Sequence, residues 1–211
     1  MLSYNVFLPS YSVGTDCYKQ IPYVTRKYGT KAVVIGGKTA MQKAKPELDN
    51  AIKDSNVEIL DYIWYGGDSN YENVEMLKKN KIIEQADMLF GVGGGRACDT
   101  VKTLADMLDK PFFTFPTLAS NCAACTAISV IYNPDGSFKE YYYMHGPSYH
   151  TFVNTKIIAD SPQNLLWAGI GDALSKECEV LFASREKFIY HTPLMGQCIS
   201  KVCTTPLIEY G

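Results

Sequence analysis

Three consecutive glycines, Gly93, Gly94 and Gly95, stand where an apolar run gives way to an amphipathic one, and few chain geometries satisfy that junction. Before them, Ala86-Asp87-Met88-Leu89-Phe90 has the profile of a short buried strand. After them, Ala97, Val101, Leu104, Ala105 and Leu108 recur at helical spacing. Glycines lack a Cβ, so the backbone can turn sharply there and come close to a ligand. The first amides of the helix then point outward with the positive end of its dipole behind them, which suits a phosphate, and Arg96 adds a cation at the helix start. A tight turn without a ligand is the plainer alternative. The spacing is neither the G-x-G-x-x-G of a Rossmann fingerprint nor the Gly-Lys-Ser/Thr of a P-loop. The residues alone therefore stop at a nucleotide or another phosphate.

The same strand-to-helix rhythm extends on both sides. Asn5 to Pro9 reads as a first strand, Val13-Gly14 as a turn, and Thr15 as the cap of a helix through Cys17, Ile21, Val24 and Tyr28 that stops at Gly29. Lys31 to Ile35 is an apolar strand of the kind buried on both faces of a parallel sheet, followed by Gly36-Gly37-Lys38-Thr39 and a helix to about residue 54. Val57 to Leu60 predicts a strand, Gly66 to Ser69 a turn, and Tyr71 to Gln85 a helix. Pro111 to Pro116 predicts the strand after the triple-glycine helix. This alternation indicates an α/β fold, an open Rossmann-like parallel sheet with helices on both faces. Ligands in such sheets bind beyond the carboxyl ends of the strands, where the loops at Gly36, Gly93 and Pro116 should lie.

From Thr126 the pattern changes. Thr126 to Tyr132 and Phe138 to Tyr143 flank Asn133-Pro134-Asp135-Gly136-Ser137, the layout of a β-hairpin, and Thr151 to Asn154 is a further short strand. Ser161-Pro162 reads as a helix cap with proline in the first turn, opening a helical region through Ser184, and residues from Thr192 onward are also helical in tone. The expected division is an α/β domain over 1–160 and the first helices of an incomplete helical domain over 161–211. The chain is thus expected to be the front part of a longer protein.

Composition excludes several classes. Of 211 residues, 46% are hydrophobic and 20% charged, which describes a folded chain and not a disordered one. A net charge of −2 without a basic run gives no footprint for nucleic acid. No secretory layout opens the sequence and no long apolar run interrupts it, so a cytoplasmic protein without a membrane partner is expected. Seven scattered cysteines fit reduced thiols better than a disulfide framework.

Four motifs in order, Gly91 to Lys102, Phe115-Pro116-Thr117-Leu118-Ala119-Ser120, Ala127 to Tyr132 and Ala168-Gly169-Ile170-Gly171-Asp172-Ala173-Leu174, resemble the glycerol dehydrogenase branch of the iron-containing (group III) alcohol dehydrogenases. The resemblance implies an NAD(P)-binding domain, a metal-binding helical domain, and one divalent metal, Zn²⁺ or Fe²⁺, between them. The reaction it implies is reversible hydride transfer between a small alcohol or polyol and the nicotinamide, by a homo-oligomer. By the same likeness Gly94, Gly95 and Arg96 hold the pyrophosphate with Asp99 close by. Thr117, Ser120, Thr126, Ile128 and Tyr132 line the cofactor toward its nicotinamide end, and Asp172 is a metal ligand acting in catalysis through that metal.

Two positions depart from the family pattern. At Gly37 the family typically has an aspartate that accepts hydrogen bonds from the adenosine ribose and repels a 2′-phosphate; here Gly37-Lys38-Thr39 offers a cation and a hydroxyl instead, so NADP is expected to compete with NAD. At Cys122 the family has an aspartate that contacts the glycerol hydroxyls. A thiol is a weak, neutral partner, and a less polar alcohol or a carbonyl compound is expected as substrate.

From the residues alone, an aspartate such as Asp172, read as lying near a helix start, is usually a cap or a dipole partner, although the small neighbours Gly169 and Gly171 would leave room for something bulky beside it. One carboxylate does not make a catalytic metal site, which usually has three protein ligands. His145, His150 and His191 read as surface or packing residues, and Lys176 stands four residues after Asp172, where other branches place a histidine. The family's remaining ligands are expected beyond Gly211, so the 211-residue chain alone is expected to be inactive. The alternatives are a non-catalytic nucleotide-binding fragment, a lyase resembling dehydroquinate synthase, or a thiol redox protein using Cys122 and Cys125.

Overall fold

The structure, a computed structural model, describes residues 6–185 and 191–211. In chain order its elements are β1 (Tyr11–Gly14), α1 (Ile21–Thr25), β2 (Lys31–Gly36), α2 (Lys38–Ile52), β3 (Glu58–Trp64), α3 (Tyr71–Lys78), α4 (Lys81–Gln85), β4 (Met88–Gly93), α5 (Gly95–Met107), β5 (Phe112–Pro116), β6 (Ile128–Tyr132), β7 (Phe138–Tyr143), β8 (His150–Asn154), α6 (Thr155–Ala159), α7 (Gln163–Ser184) and α8 (His191–Tyr210). They fall into two compact units, Met1–Leu118 with Cys122–Ser161, and Ala119–Asn121 with Pro162–Gly211.

The first unit is built on a six-stranded sheet in the order β1-β8-β5-β4-β2-β3, parallel throughout. Successive side chains of its strands part to opposite faces. Val34, Phe90, Phe113, Phe115 and Phe152 pack with Tyr18, with Ile21 of α1, with Met41, Ala44 and Leu48 of α2, and with Ile157 of α6. Val33, Ile35, Leu89 and Phe112 pack on the other face with Val74 and Leu77 of α3, Ile83 of α4, and Val101, Leu104 and Ala105 of α5. Both faces of the central strands are therefore buried, which is why β2 and β4 read as continuous apolar runs. The hairpin β6–β7 forms a separate antiparallel pair.

The order of strands sets the position of the site. From β2 the chain moves outward to β3, then crosses back to β4 on the other side of β2, so the direction of winding reverses between β2 and β4. The parallel register sets Gly36 beside Val92 and Gly93 beside Pro116, which brings the loops after β2, β4 and β5 to one edge of the sheet.

Several local expectations change. Residues 6–10 are not a strand; β1 begins at Tyr11, and the apolar Phe7 and Leu8 are exposed. Thr15 caps nothing: a 3-10 turn over Cys17–Gln20 follows Asp16, and α1 is a separate short helix with Pro22 in its first turn, because proline brings no N–H to continue the preceding turn. The helix expected over 71–85 breaks, and the side chain of Asn80 accepts from the amide of Ile82 to start α4. Ser161 is not the cap of α7; that position is Pro162, which has no side-chain hydrogen-bonding group. Among the described residues no helix is long and apolar enough to cross a membrane.

Candidate functional site

The glycine loops after β2 and β4 meet at the point where the winding reverses. Gly93 has φ 148°, a conformation that side-chain-bearing residues rarely adopt, and a Cβ there would lie 2.9 Å from Ala97 Cβ. Gly94 caps α5, whose first hydrogen bond runs from the Cys98 amide to the Gly94 carbonyl at 3.0 Å. The amides of Gly95, Arg96 and Ala97 precede that bond and stand at the positive end of a 13-residue helix. From the neighbouring loop the Gly37 amide donates to the Val92 carbonyl at 3.3 Å, and Gly37 caps α2 in an extended conformation. Thr117 closes the third side by donating its amide to the Gly93 carbonyl at 3.2 Å. Two helix N-termini and a bare glycine floor thus converge on one crevice, a cradle whose geometry is able to receive an anion such as a phosphate.

The cations around the cradle are already engaged. Arg96 lies 3.2 Å from an oxygen of Asp68 and 4.7 Å above the ring of Tyr132, so a phosphate arriving here shares the guanidinium with Asp68. Lys38 rests 4.8 Å over the indole of Trp64, the last residue of β3. Cys98 is buried beside the cradle and its thiol is pushed up to about 12 by burial, which removes it as a nucleophile near neutral pH.

Asp99 does not face the cradle. It is buried, its Oδ2 accepts from the Val130 amide at 3.2 Å, and its Oδ1 lies 2.9 Å from Lys102 Nζ. Burial pushes its carboxyl above the ordinary value, opposed by the Lys102 ammonium and the Val130 amide. Its carboxylate is thus engaged inside the fold, about one turn along α5 from the helix mouth. The Thr126 hydroxyl also turns inward, toward Lys102 Nζ at 3.2 Å, and the Ile128 carbonyl accepts from the same ammonium. Cys122 is exposed at the start of a 3-10 turn over Ala123–Cys125, and its carbonyl accepts from the Cys125 amide at 2.9 Å.

Ser120 and Asp172 belong to the second unit. Asp172 is in the interior of α7 and not near its start, so it neither caps the helix nor meets its dipole. Its carboxylate lies 3.1 Å from Lys176 Nζ, one helical turn on. The space left by Gly169 is taken by backbone, because a Cβ there would be 1.6 Å from the Ala119 carbonyl oxygen; only Gly171 faces open space. Among the described residues no three His, Cys, Asp or Glu side chains cluster as a metal centre, so the donors present do not make a metal site. His150 hydrogen-bonds Ser10 and Ser12, at 2.7 and 2.8 Å, and His145 packs on Phe7. A cavity of about 580 Å³ lined by Phe7, Asp109, Phe112 and Tyr149 opens at the amino end of β5, away from the glycine loops.

The comparisons with known proteins agree with this geometry. Residues 9–152 match the family model of the iron-containing alcohol dehydrogenases. The chain belongs to that family. A glycerol dehydrogenase of Escherichia coli O6:H1 is 30% identical over 207 residues, covering 95% of this chain and 56% of the relative. One from Thermotoga maritima is 36% identical over 151 residues, covering 70% of this chain and 41% of the relative. The solved glycerol dehydrogenase of Schizosaccharomyces pombe superposes with a TM-score of 0.85 at 26% identity, covering 99% of this chain and 54% of that one. The chain thus spans about half the length of these iron-containing alcohol dehydrogenase relatives. Sequence reasoning missed Asp68, Trp64 and Lys102 as members of the site. Nothing in the sequence marks Lys102: it lies within a helix whose residues from Ala97 to Ala105 are all buried, and that burial is seen only in the fold.

Proposed function

We propose that this chain is the cofactor-binding part of an NAD(P)-dependent alcohol dehydrogenase that transfers hydride reversibly between a small alcohol and a nicotinamide. The observation that carries the reading is the pair of glycine-floored helix N-termini at the reversal point between β2 and β4. Residues 1–160 form the NAD(P)-binding domain in this reading and 161–211 the first helices of a helical one. Gly94, Gly95 and Arg96 hold the pyrophosphate, Gly37 and Lys38 the adenosine ribose, and Thr117, Ser120, Ile128 and Tyr132 the approach to the nicotinamide. The cofactor supplies the hydride chemistry; the chain binds and orients it.

The family implies a divalent metal besides NAD(P), with Asp172 proposed as the one ligand contributed here. No step is assigned through it, because Asp172 is paired with Lys176 and no donor cluster surrounds it among the described residues. That same observation favours a second reading, a nucleotide-binding module without catalysis of its own. At Gly37 no carboxylate is present to repel a 2′-phosphate, while the Lys38 ammonium is nearby, so NADPH binds at least as tightly as NADH. Fluorescence titration of the protein with each nucleotide tests this. Tighter NADH binding overturns the preference, and binding of neither overturns the reading itself.

A further inference from the structure

Lys102 is fully buried, and five oxygens surround its ammonium. Nζ donates to the carbonyls of Ala123 at 2.7 Å, Ile128 at 2.5 Å and Thr126 at 3.3 Å, and to Thr126 Oγ1 at 3.2 Å, with Asp99 Oδ1 at 2.9 Å. An ammonium has three protons, so acceptors outnumber donors, and such a group of oxygens is stable only around a positive charge. All but one of these oxygens come from residues 123–128, of which only Ile128, the first residue of β6, belongs to a strand; Ala123 to Cys125 form a 3-10 turn and Thr126 has no regular structure. The pair on α5 grips the following strand as well. Asp99 Oδ2 accepts from the Val130 amide at 3.2 Å, and the Asp99 carbonyl accepts from Ser129 Oγ at 3.1 Å. From the other side Ala124 is fixed through its carbonyl, which accepts from the hydroxyls of Thr114, Ser148 and Thr151 at 2.8, 3.2 and 3.2 Å.

We infer that Lys102 is a positioning residue whose ammonium acts as a tethered cation, drawing the carbonyls of Ala123, Thr126 and Ile128 together and so setting the backbone that presents Cys122 and Ile128 to substrate and nicotinamide. The inference rests on the dehydrogenase reading for what the segment contacts, but not for what holds it. On this account α5 serves both ends of the cofactor: its N-terminus receives the pyrophosphate, and about two turns later its lysine shapes the loop at the reacting end.

The test is Lys102→Met, which removes the charge and keeps most of the volume, in the full chain. Hydrogen exchange of residues 123–130, NADPH affinity, and oxidation of ethanol and glycerol with NADP⁺ are measured. Amides of the segment are expected to exchange about tenfold faster or more, as for loss of buried hydrogen bonds. Exchange in β4 stays unchanged, NADPH affinity falls less than loop protection does because the glycine loop and the start of α5 are left in place, and turnover falls with the loop. Lys102→Ala is expected to regain loop protection when methylammonium is added, which a lysine acting only through packing does not allow. Asp99→Asn gives a smaller change in the same direction. Unchanged loop exchange, a rise spread evenly over the sheet, loss of folding in both lysine variants, or no response to methylammonium overturns the inference. If the unsubstituted protein neither binds NADPH nor oxidises an alcohol, the dehydrogenase reading fails, while the exchange and methylammonium results still decide the part played by Lys102.

Discussion

Replacing Gly36 by alanine places a Cβ 2.0 Å from the carbonyl oxygen of Val92 and 3.2 Å from Met41 Cγ. The contact with oxygen is about 1.4 Å short of the 3.4 Å at which ordinary contact begins. Val92 is the register partner of Gly36, and its carbonyl is held by the Gly37 amide at 3.3 Å, so it cannot swing aside. Relief requires β2 and β4 to separate at the edge that carries the phosphate cradle. Overpacking of this kind costs about 3 kcal/mol, the upper part of the usual range. For a chain of this size that lowers Tm by roughly 6–12 °C. Gly37→Ala is the control. At Gly37 a Cβ meets nothing closer than 3.8 Å, and the backbone at φ −73°, ψ 143° accepts any residue. There the smaller entropy of the unfolded chain offsets a poorer helix cap, and stability stays within about 1 kcal/mol of the parent. Thermal unfolding followed by circular dichroism, with NADPH titration of the folded variants, separates the two. A Gly36→Ala protein that melts with the parent, or a Gly37→Ala protein that melts as early as Gly36→Ala should, refutes the packing argument.

Arg96→Ala should weaken NADPH binding by about tenfold, the worth of one charge-assisted hydrogen bond. Asp68→Asn should tighten it by releasing the guanidinium from its 3.2 Å partner; equal affinities of both variants and the parent in a fluorescence titration remove Arg96 from the cradle. His150 is buried between two serines, and burial holds its pKa below the ordinary 6.5. The unfolded chain therefore takes up this proton first, so the stability His150 contributes above pH 6.5 is lost as pH falls from there through its lower folded value. Urea midpoints at pH 8 and pH 5 should differ less in His150→Gln than in the parent, and an identical difference counts against this contribution of His150.

What the sequence made legible was whatever rested on burial of both sheet faces. Val33, Val34 and Ile35 leave β2 no solvent face, and the glycines at Gly36 and Gly93 to Gly95 mark where close approach is needed. Residues 6–9 misled because they are apolar, yet Phe7 and Leu8 are exposed, while the true edge strand Tyr11–Gly14 pairs with β8 alone and carries no apolar run. Asp172 was read as lying near a helix start, although the helical region opened by Pro162 already reaches past it and places it in the interior of α7. Asp99 and Lys102 were hidden for a different reason. They stand three apart on α5, a spacing that reads as an ordinary surface pair on a helix; their burial depends on residues 123–128 folding back over α5, and contact with a distant loop leaves no periodicity to read.

The most direct test of the cofactor site is amide NMR of the ¹⁵N-labelled protein titrated with NADPH. The largest shift changes are expected at Gly95, Arg96 and Ala97, whose amides precede the first hydrogen bond of α5, and at Gly94 and Gly37 beside them. Binding that leaves these signals in place and moves others, or no binding at all, would contradict a phosphate cradle at this edge of the sheet.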